Sequence, residues 1–400
     1  MPSLASVDFN QTPFVAIWET TRACDLACRH CRAEAISEAL PGELTTEEGF
    51  GVLDHLSEMG TPICVLSGGD PAKRQDLCEL ISYGSKLGMR MATIPAATPL
   101  LTRELVFSLK EAGLAQMAMS LDGPTADVHD TFRGVPGAFD RTIAGAGFAR
   151  EAQLPMQINT VFSSYNLEHF KAMTEIVGSL GAVFWEVFFL VPMGRGKDLG
   201  QMNAEQFEFL FTQLAEYSHQ VNFIVKITEA PHYRRYLMQE HARHQRDGNG
   251  SGPDEHPAPT PPMGHPGGKT GMRPPGMKRE KGELPWHMRR DFGPGGSIGL
   301  APKGVNAGNG HLFVSYCGDV YPSGFLALPC GNIREGSLTE IYRTHPVFKE
   351  LRDLDLLKGK CGICEFRHIC AGSRARAFSM TGDYLAEEPF CAYEPPAGSQ

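Results

Sequence analysis

Apolar runs rich in β-forming residues alternate with stretches of helical period from about residue 13 to about residue 225. Six runs predict strands: FVAIWET, TPICVLS, MRMATI, AQMAMSL, MQINTVF and VFWEVFFLV. After the first strand, Thr45 and Glu48 have the spacing of a capping box, and Gly60 is placed to end that helix. The next helix has an apolar face, formed by Leu77, Leu80, Ile81 and Gly84.

Strands that alternate with helices predict an α/β protein built from parallel βα units with right-handed crossovers. Six units fall short of a closed eight-unit barrel, so an open, partial (β/α)6 barrel is the first choice and a doubly wound sheet the second. We expect this barrel to occupy residues 1–228.

The pattern changes after the barrel. Residues 229–296 are expected to form a connector, in which a Pro/Gly/His-rich stretch at about 244–285 is too poor in large apolar residues to order itself. A small domain is expected over 297–400, beginning with a hairpin that turns at Gly318 and Asp319. Histidines of the connector region lack paired spacing and are weak metal candidates: His244, His256, His265 and His287.

Composition narrows the class of protein. The 400 residues are 42% hydrophobic, and no run approaches the roughly 18 apolar residues of a membrane helix. A net charge of −9 argues against a nucleic-acid partner. Seven of the eleven cysteines fall in two groups, which favours metal or redox chemistry in a reducing compartment over disulfides. We therefore expect a cytoplasmic protein without membrane attachment.

Polar and glycine-rich features follow the carboxyl ends of several predicted strands, where parallel βα proteins bind ligands. Each feature alone is also typical of an ordinary turn, and their common placement is the stronger observation. The features are Cys24, Cys28 and Cys31 after the first strand, SGGDP (67–71) after the second, SLDGP (120–124) after the fourth, Asn159 within the fifth, and VPMGRG (191–196) after the sixth.

The CxxxCxxC spacing of Cys24, Cys28 and Cys31 suits three corners of one iron–sulfur cubane. One iron would then lack a protein ligand, which leaves it open to a substrate. The alternative is a zinc site completed by His30 or by a distant cysteine.

This motif resembles that of the radical S-adenosylmethionine (SAM) enzymes, although His30 stands where the family usually has an aromatic residue. The resemblance implies a partial (β/α)6 barrel and a [4Fe-4S] cluster whose open iron binds SAM. Reductive cleavage of SAM would give a 5′-deoxyadenosyl radical that abstracts hydrogen from a substrate. It also implies an external electron donor such as flavodoxin or ferredoxin.

Further positions match motifs of this family. Gly68, Gly69 and Asp70 resemble a GGEP-like loop that meets the methionyl amine, with Asp in place of the usual Glu. The resemblance implies further SAM contacts from the later strands: Ser120 and Asp122 near the carboxylate and ribose, Arg133 pairing with the carboxylate, and Asn159 and Val191 near ribose and adenine.

A second cysteine set resembles the cluster-binding end of SPASM and twitch domains, and its members are Cys361, Cys364, Cys370 and Cys391. Four thiolates imply a fully ligated auxiliary [4Fe-4S] cluster suited to electron transfer, with zinc as the alternative. Ser323 stands where a full SPASM domain has another cysteine, so one auxiliary cluster is expected. Cys317 and Cys330 lie out of register, and Cys64 and Cys78 are expected to pack as small apolar residues.

The segments EAPHYRR, GDVYPSGFL and CGICEFRHICAGSRARAF resemble enzymes of heme d1 and siroheme-derived heme biosynthesis. That resemblance implies a small-molecule substrate, a tetrapyrrole. A fully ligated second cluster would accept an electron from a substrate radical, which favours a net oxidation, and among tetrapyrrole changes propionate decarboxylation to a vinyl group fits. The alternatives are a peptide-modifying maturase and a non-catalytic iron–sulfur carrier. Polar candidates for the substrate site are Glu229, His232, Arg234, Arg235, Arg279, Lys281, Arg289 and Arg290.

Overall fold

The computed structural model describes residues 7–247 and 304–396. Its strands are β1 (Val15–Glu19), β2 (Ile63–Ser67), β3 (Arg90–Thr93), β4 (Gln116–Ser120), β5 (Met156–Phe162), β6 (Phe184–Phe189), β7 (Ile224–Thr228), β8 (His311–Val314) and β9 (Val320–Tyr321). Its α-helices are α1 (Thr46–Glu58), α2 (Leu77–Lys86), α3 (Arg103–Glu111), α4 (Ala126–Arg133), α5 (Ala138–Glu151), α6 (Phe170–Ser179), α7 (Ala204–Ser218), α8 (Tyr233–Asp247), α9 (Leu338–Thr344), α10 (Pro346–Arg352), α11 (Gly359–Ile363) and α12 (Arg374–Thr381).

The strands form one nine-stranded sheet in the order β7-β6-β5-β4-β3-β2-β1-β8-β9. β1 to β7 follow one another without a reversal, so the doubly wound alternative, which needs a switch point, is wrong. The six predicted strands are confirmed, and β7 is a further strand that the pattern missed. The sheet is an open, partial barrel. Burial lowers the pKa of His311 on β8 to about 4, and the ammonium of Lys226 on β7, the strand at the other end of the sheet, lowers it further.

Local signals in the sequence set the helix ends. The capping box of α1 is present, with the Thr45 side chain accepting from the Glu48 amide and the Glu48 side chain accepting from the Thr45 amide. The predicted apolar face of α2 is buried, and its Gly84 sits against the Met91 side chain of β3. Helices and strands enclose a continuous apolar core that includes Trp18, Trp185 and Phe211. The carboxyl ends of the strands are thereby held on one rigid rim.

The predicted hairpin after the connector is confirmed, but it belongs to the barrel sheet. β8 and β9 pair antiparallel, and β8 also pairs in parallel with β1. α8 continues through Asp247, so the first residues of the expected Pro/Gly/His-rich stretch are helical. Its remainder, with His256, His265 and His287, lies outside the described residues, and the domain boundaries at 228 and 296 stay a prediction. Within residues 7–247 and 304–396, no helix is long and apolar enough to cross a membrane.

Candidate active site and auxiliary cluster site

The loop with the first three cysteines follows β1 and is anchored to the end of α4. The Ala27 amide donates to the Arg133 carbonyl at 3.1 Å, and the Arg29 amide donates to the Phe132 carbonyl at 2.9 Å. These bonds use carbonyl groups of the last helical turn, which have no partner inside the helix. The loop and the Arg133 side chain are therefore held together at the rim of the barrel.

All three thiols of this loop accept hydrogen bonds. The Leu26 amide donates to Cys24 Sγ at 3.4 Å, the Ala35 amide to Cys31 Sγ at 3.5 Å, and the Arg133 guanidinium to Cys28 Sγ at 3.6 Å. Burial raises the pKa of Cys24 to about 12, and the nearby charges of Asp70 and the other two cysteines act in the same direction. Such sulfurs need positive charge to ionise, and an iron–sulfur cluster would supply it. The donor set fits that group.

The glycines after β2 approach the cysteine loop too closely for any side chain. A Cβ on Gly68 would lie 2.5 Å from the Thr21 carbonyl oxygen, and one on Gly69 would lie 2.5 Å from that of Ala23. The Gly69 amide donates to Thr21 and the Asp70 amide donates to Ala23, both at 2.7 Å. The two loops are thus joined backbone to backbone, and this close approach requires glycine at both positions.

The Asp70 side chain has a structural partner set. Its carboxylate accepts from the amides of Ala72 and Ala96 and from the Thr98 hydroxyl at 2.7 Å. Burial raises the pKa of Asp70, and these three donors oppose that rise. The side chain joins the loop after β2 to the loop after β3, which leaves ligand contact to the backbone of the glycine loop.

Asp122 and Arg133 form a buried ion pair next to the first cysteine set. The Arg133 guanidinium bonds the Asp122 carboxylate as well as the Cys28 thiol, and Asp122 also accepts from the Val161 amide at 2.7 Å. Although burial alone would lower it, Asp122 and Cys28 hold the pKa of Arg133 above its usual value. Arg133 Nε is buried without a hydrogen-bond partner in the described part of the chain, so the guanidinium has capacity left for an anionic ligand.

Ser120, Asn159 and Val191 lie at the predicted strand ends. Ser120 and Asn159 are register partners on β4 and β5. The Asn159 side chain accepts from Gln157 Nε2 at 2.7 Å. Val191, just after β6, packs with apolar residues of the C-terminal part of the chain, among them Leu326 and Ala375.

A polar network inside the barrel was not predicted. Gln157 Nε2 donates to Glu186 at 2.6 Å, and Glu186 also accepts from the Thr228 hydroxyl and the Lys226 ammonium. Although burial would raise it, Lys226 and these donors hold the pKa of Glu186 below its usual value. The sequence did contain a signal for this network. Glu186 in FWEVFF and Lys226 in IVKIT are charged residues within otherwise apolar strands, which indicates a polar site inside the barrel.

His30 stands where the family usually has an aromatic residue, and its ring packs against an aromatic neighbour. Its ring stacks on Phe132 with 4.6 Å between centroids and 15° between planes. Arg195, which sequence reasoning missed, fixes the same loop by donating to the carbonyls of Cys28 at 2.9 Å and Ala35 at 3.3 Å. The signal was an arginine between two glycines in the segment after β6.

The second cysteine set converges on one cavity. All four thiols line it, and charged side chains lie around them; the lining includes Cys361, Cys364, Cys370, Cys391, His232, Arg235, Lys360, Arg367 and Glu388. Each thiol accepts a backbone amide: Glu388 to Cys361, Phe366 to Cys364, Gly372 to Cys370 and Tyr393 to Cys391. Amide donors and cations of this kind stabilise the negative charge of a thiolate-ligated cluster, so these residues fit an auxiliary [4Fe-4S] group. In residues 7–247 and 304–396, no three His, Cys, Asp or Glu side chains are arranged around a position for a single metal ion.

Residues of the EAPHYRR segment either line this second cavity or bond the chain segments beside it, rather than lying at the barrel mouth. His232 and Arg235 line it, and Arg234 donates to the Ile369 carbonyl at 3.2 Å. The Glu229 carboxylate accepts from the Ser373 hydroxyl at 2.5 Å. The basic candidates Arg279, Lys281, Arg289 and Arg290 lie outside the described residues.

The remaining cysteines stay apart from the cavity. Cys317 contacts Ser315 and Asp319 in the hairpin turn, whereas Cys330 contacts the Leu328 carbonyl. Ser323 accepts from the Phe325 amide at 3.1 Å in a tight turn. Cys64 is fully buried, and Cys78 packs against the core from α2.

Comparisons with known proteins agree with this arrangement. The model of the radical SAM superfamily matches residues 18–177, and that of the SPASM iron–sulfur cluster-binding domain matches residues 306–365. The AdoMet-dependent heme synthase of Oleidesulfovibrio alaskensis is 38% identical over 94% of this chain and 87% of its own. That of Methanosarcina barkeri is 38% identical over 97% of this chain and 99% of its own.

More distant relatives share the same parts. The PqqA peptide cyclase of Rhizobium meliloti is 27% identical over 96% of this chain and 88% of its own. Streptococcus suis SuiB bound to S-adenosylmethionine superposes with a TM-score of 0.65 at 14% identity, covering 96% of this chain and 78% of SuiB, which shows a common fold.

The open barrel and the two cysteine sets define an iron–sulfur enzyme. The chain belongs to the radical SAM superfamily and carries a SPASM domain. Its cofactors are SAM and two [4Fe-4S] clusters, one that binds SAM and one auxiliary. The zinc alternatives and the non-catalytic carrier are therefore set aside.

Proposed function

We propose that this enzyme oxidatively modifies a tetrapyrrole side chain in heme-related biosynthesis by converting a propionate group into a vinyl group. The observation that carries the proposal is the near full-length identity of 38% to two AdoMet-dependent heme synthases. The peptide cyclase, which represents the alternative substrate class, is 27% identical over a similar span. The two cofactor sites fit either class, so the higher identity to the heme synthases is what supports a tetrapyrrole substrate.

We assign the first cluster to Cys24, Cys28 and Cys31, and the auxiliary cluster to Cys361, Cys364, Cys370 and Cys391. We assign SAM to the rim formed by the other matched positions: Gly68, Gly69, Asp70, Ser120, Asp122, Arg133, Asn159 and Val191. When bound, SAM and the first cluster supply a hydrogen-atom acceptor, and the auxiliary cluster supplies an electron acceptor. Two observations support the SAM assignment. The backbone of Gly68 and Gly69 lies against the cysteine loop, and Arg133, which bonds Cys28 of that loop, has an unused N–H donor at Nε.

The substrate carboxylates need cationic partners, and three basic side chains of the barrel and its cysteine loop are candidates. Arg32 lies over the Phe313 ring at 4.5 Å and, like Arg22, pairs with the buried Glu19, whereas Lys226 pairs with Glu186. All three keep part of their side chain exposed, so a propionate can reach them without displacing the apolar core. An aromatic ring beside a guanidinium also suits the flat, conjugated body of a tetrapyrrole.

The overall change removes carbon dioxide, one hydrogen atom and one electron from each propionate carboxylate. It is an oxidation, which is why the chain needs an electron acceptor in addition to the SAM site. An external reductant such as flavodoxin or ferredoxin would supply the electron that starts each turnover. That donor stays a prediction. So does a cytoplasmic location, which the grouping of seven cysteines in two sets favours.

The proposal is tested by anaerobic turnover of reconstituted protein with SAM and reductant. Iron porphyrins that carry propionates and candidate peptides are offered separately, and products are analysed by mass spectrometry. We expect loss of carbon dioxide and two hydrogen atoms per modified side chain from a porphyrin. Modification of a peptide but of no porphyrin would favour the maturase alternative.

A further inference from the structure

His232 is a polar residue at the auxiliary cavity that has no role in the account above. It is fully buried and lines the cavity together with the four cysteines. Its ring stacks on Phe207 with 5.3 Å between centroids and meets Phe211 edge-on. Among the described residues, neither ring nitrogen has a hydrogen-bond partner.

A buried imidazole without partners is costly. A buried donor that is left unsatisfied destabilises the folded protein, and a phenyl ring would fill the same aromatic site without that cost. Native structures leave few buried polar groups unpaired, so each one requires an explanation such as a bound group. A ligand in the cavity would provide the missing partner.

The other polar side chains that line the cavity are already engaged. Arg235 binds Glu208, Lys360 donates to the Cys391 carbonyl at 2.6 Å, Arg367 donates to the Gly362 carbonyl and Glu388 binds Arg376. His232 differs because its whole hydrogen-bonding capacity is unused while it lies against the cavity. In either protonation state an imidazole carries at least one N–H donor.

We propose that His232 donates an N–H to a sulfur atom of the auxiliary cluster and thereby raises that cluster's reduction potential. It is a positioning residue for an electron acceptor rather than a catalytic residue. A donor to sulfur stabilises the reduced cluster, which carries one more negative charge, more than the oxidised one. The inference rests on the assignment of the auxiliary cluster to the four cysteines and needs no particular substrate.

The test uses the full chain with Cys24, Cys28 and Cys31 replaced by alanine, so that only the auxiliary cluster is present. In this background, His232→Phe removes the donor and keeps the ring stack, whereas His232→Gln keeps an amide N–H. The matched control is His129→Phe, since His129 is also fully buried beside an aromatic ring but lies in the barrel, next to Asp122. Iron content and the midpoint potential, followed by electron paramagnetic resonance, are measured for each.

We expect about four irons per chain in every variant. The midpoint potential should be more negative in His232→Phe, while His232→Gln and His129→Phe should stay close to the background protein. Equal potentials in His232→Phe and the background, at equal iron content, would overturn the proposal. Loss of iron in His232→Phe would overturn it too, because His232 would then hold the metal or the fold. No turnover is measured, so a wrong substrate proposal leaves this result intact.

Discussion

Arg376 and Glu388 form a fully buried ion pair in which one guanidinium nitrogen lies 3.1 and 3.2 Å from the two carboxylate oxygens. A second nitrogen of Arg376 donates to the carbonyls of Phe189 and Leu190 at the end of β6 and to that of Glu229 at 2.6 Å. Glu388 lines the auxiliary cavity, so this one arginine connects the barrel rim to the second cluster site.

Replacing Arg376 by methionine should lower the free energy of unfolding by about 3–5 kcal/mol, because Glu388 would remain as an unpaired buried carboxylate. Adding Glu388→Leu should recover part of the loss. Anaerobic urea denaturation measures both. The control is the exposed pair of Arg103 and Glu151, where Arg103→Met should cost no more than about 1 kcal/mol. An equal cost at the two sites would contradict the importance assigned to the buried pair.

Replacing Cys24, Cys28 and Cys31 together by alanine should abolish SAM cleavage and leave the iron of the auxiliary cluster. The physical reason is that these three thiols are the ligands assigned to the cluster that binds SAM. Formation of 5′-deoxyadenosine by anaerobic protein with dithionite is the measurement, alongside iron content. Cys78→Ala on α2 is the control and should retain cleavage. If the triple variant cleaved SAM like the parent, the assignment would fail.

Replacing Cys364 by alanine should uncouple SAM cleavage from product formation. The first cluster site is intact in this variant, but the auxiliary site loses one of its four thiols and with it the electron acceptor. 5′-Deoxyadenosine and oxidised product are quantified in the same reaction. Cys330→Ala, which changes a thiol outside the cavity, should keep the two products coupled. Full product formation by the Cys364 variant would show that the auxiliary cluster is structural.

Replacing Arg133 by lysine should weaken SAM binding. Lysine keeps the positive charge but loses the planar set of donors of arginine. In Arg133, two of its nitrogens bond Cys28 and Asp122, and the third, Nε, has no partner and could bind SAM. Loss of one charge-assisted hydrogen bond is worth about 1.5–3 kcal/mol, which is a tenfold or larger rise in Kd. Calorimetric titration of SAM under anaerobic conditions tests this, with Arg141→Lys as the control. An unchanged Kd would mean that Arg133 serves only Asp122.

The contribution of Glu186 to stability should depend on pH. Its pKa is lower in the folded protein than the usual value of about 4.3, so its stabilisation is complete above that value and is lost as the pH falls through the lower folded value. The difference in unfolding free energy between the parent and Glu186→Gln should therefore be largest near neutral pH and shrink below about pH 4. Glu111→Gln, at the exposed end of α3, is the control substitution and is measured over the same pH range. A difference independent of pH would exclude an ionised Glu186.

The strand and loop pattern was readable because it is local. Apolar runs gave β1 to β6, and the position of Cys24 and Gly68 just after strands placed both on one rim. β7 was missed because IVKIT carries Lys226, which reduces its apolar signal. Its lysine is explained only by Glu186 on the neighbouring strand, a contact that no local pattern contains.

Long-range placements could not be predicted from the sequence. The EAPHYRR segment carries charges suited to a substrate carboxylate, yet His232, directly before α8, lies at the auxiliary cavity. Likewise, no local pattern indicated that Arg133 also pairs with Asp122, which in turn accepts from the Val161 amide. Charge and residue type indicate what a side chain can bind, whereas the partner depends on how distant segments pack.

The parallel pairing of β8 with β1 has a consequence for how the chain is made. The edge of β1 that faces β8 stays unpaired until His311, the register partner of Val15, has been synthesised. Contacts between residues so far apart in sequence slow folding, and an uncovered strand edge can pair with other chains. Until β8 is made, a nascent chain therefore carries its cysteine loop next to an unpaired edge of β1. Pairing of β8 with β1 covers this edge and thereby removes a site at which the growing chain could aggregate.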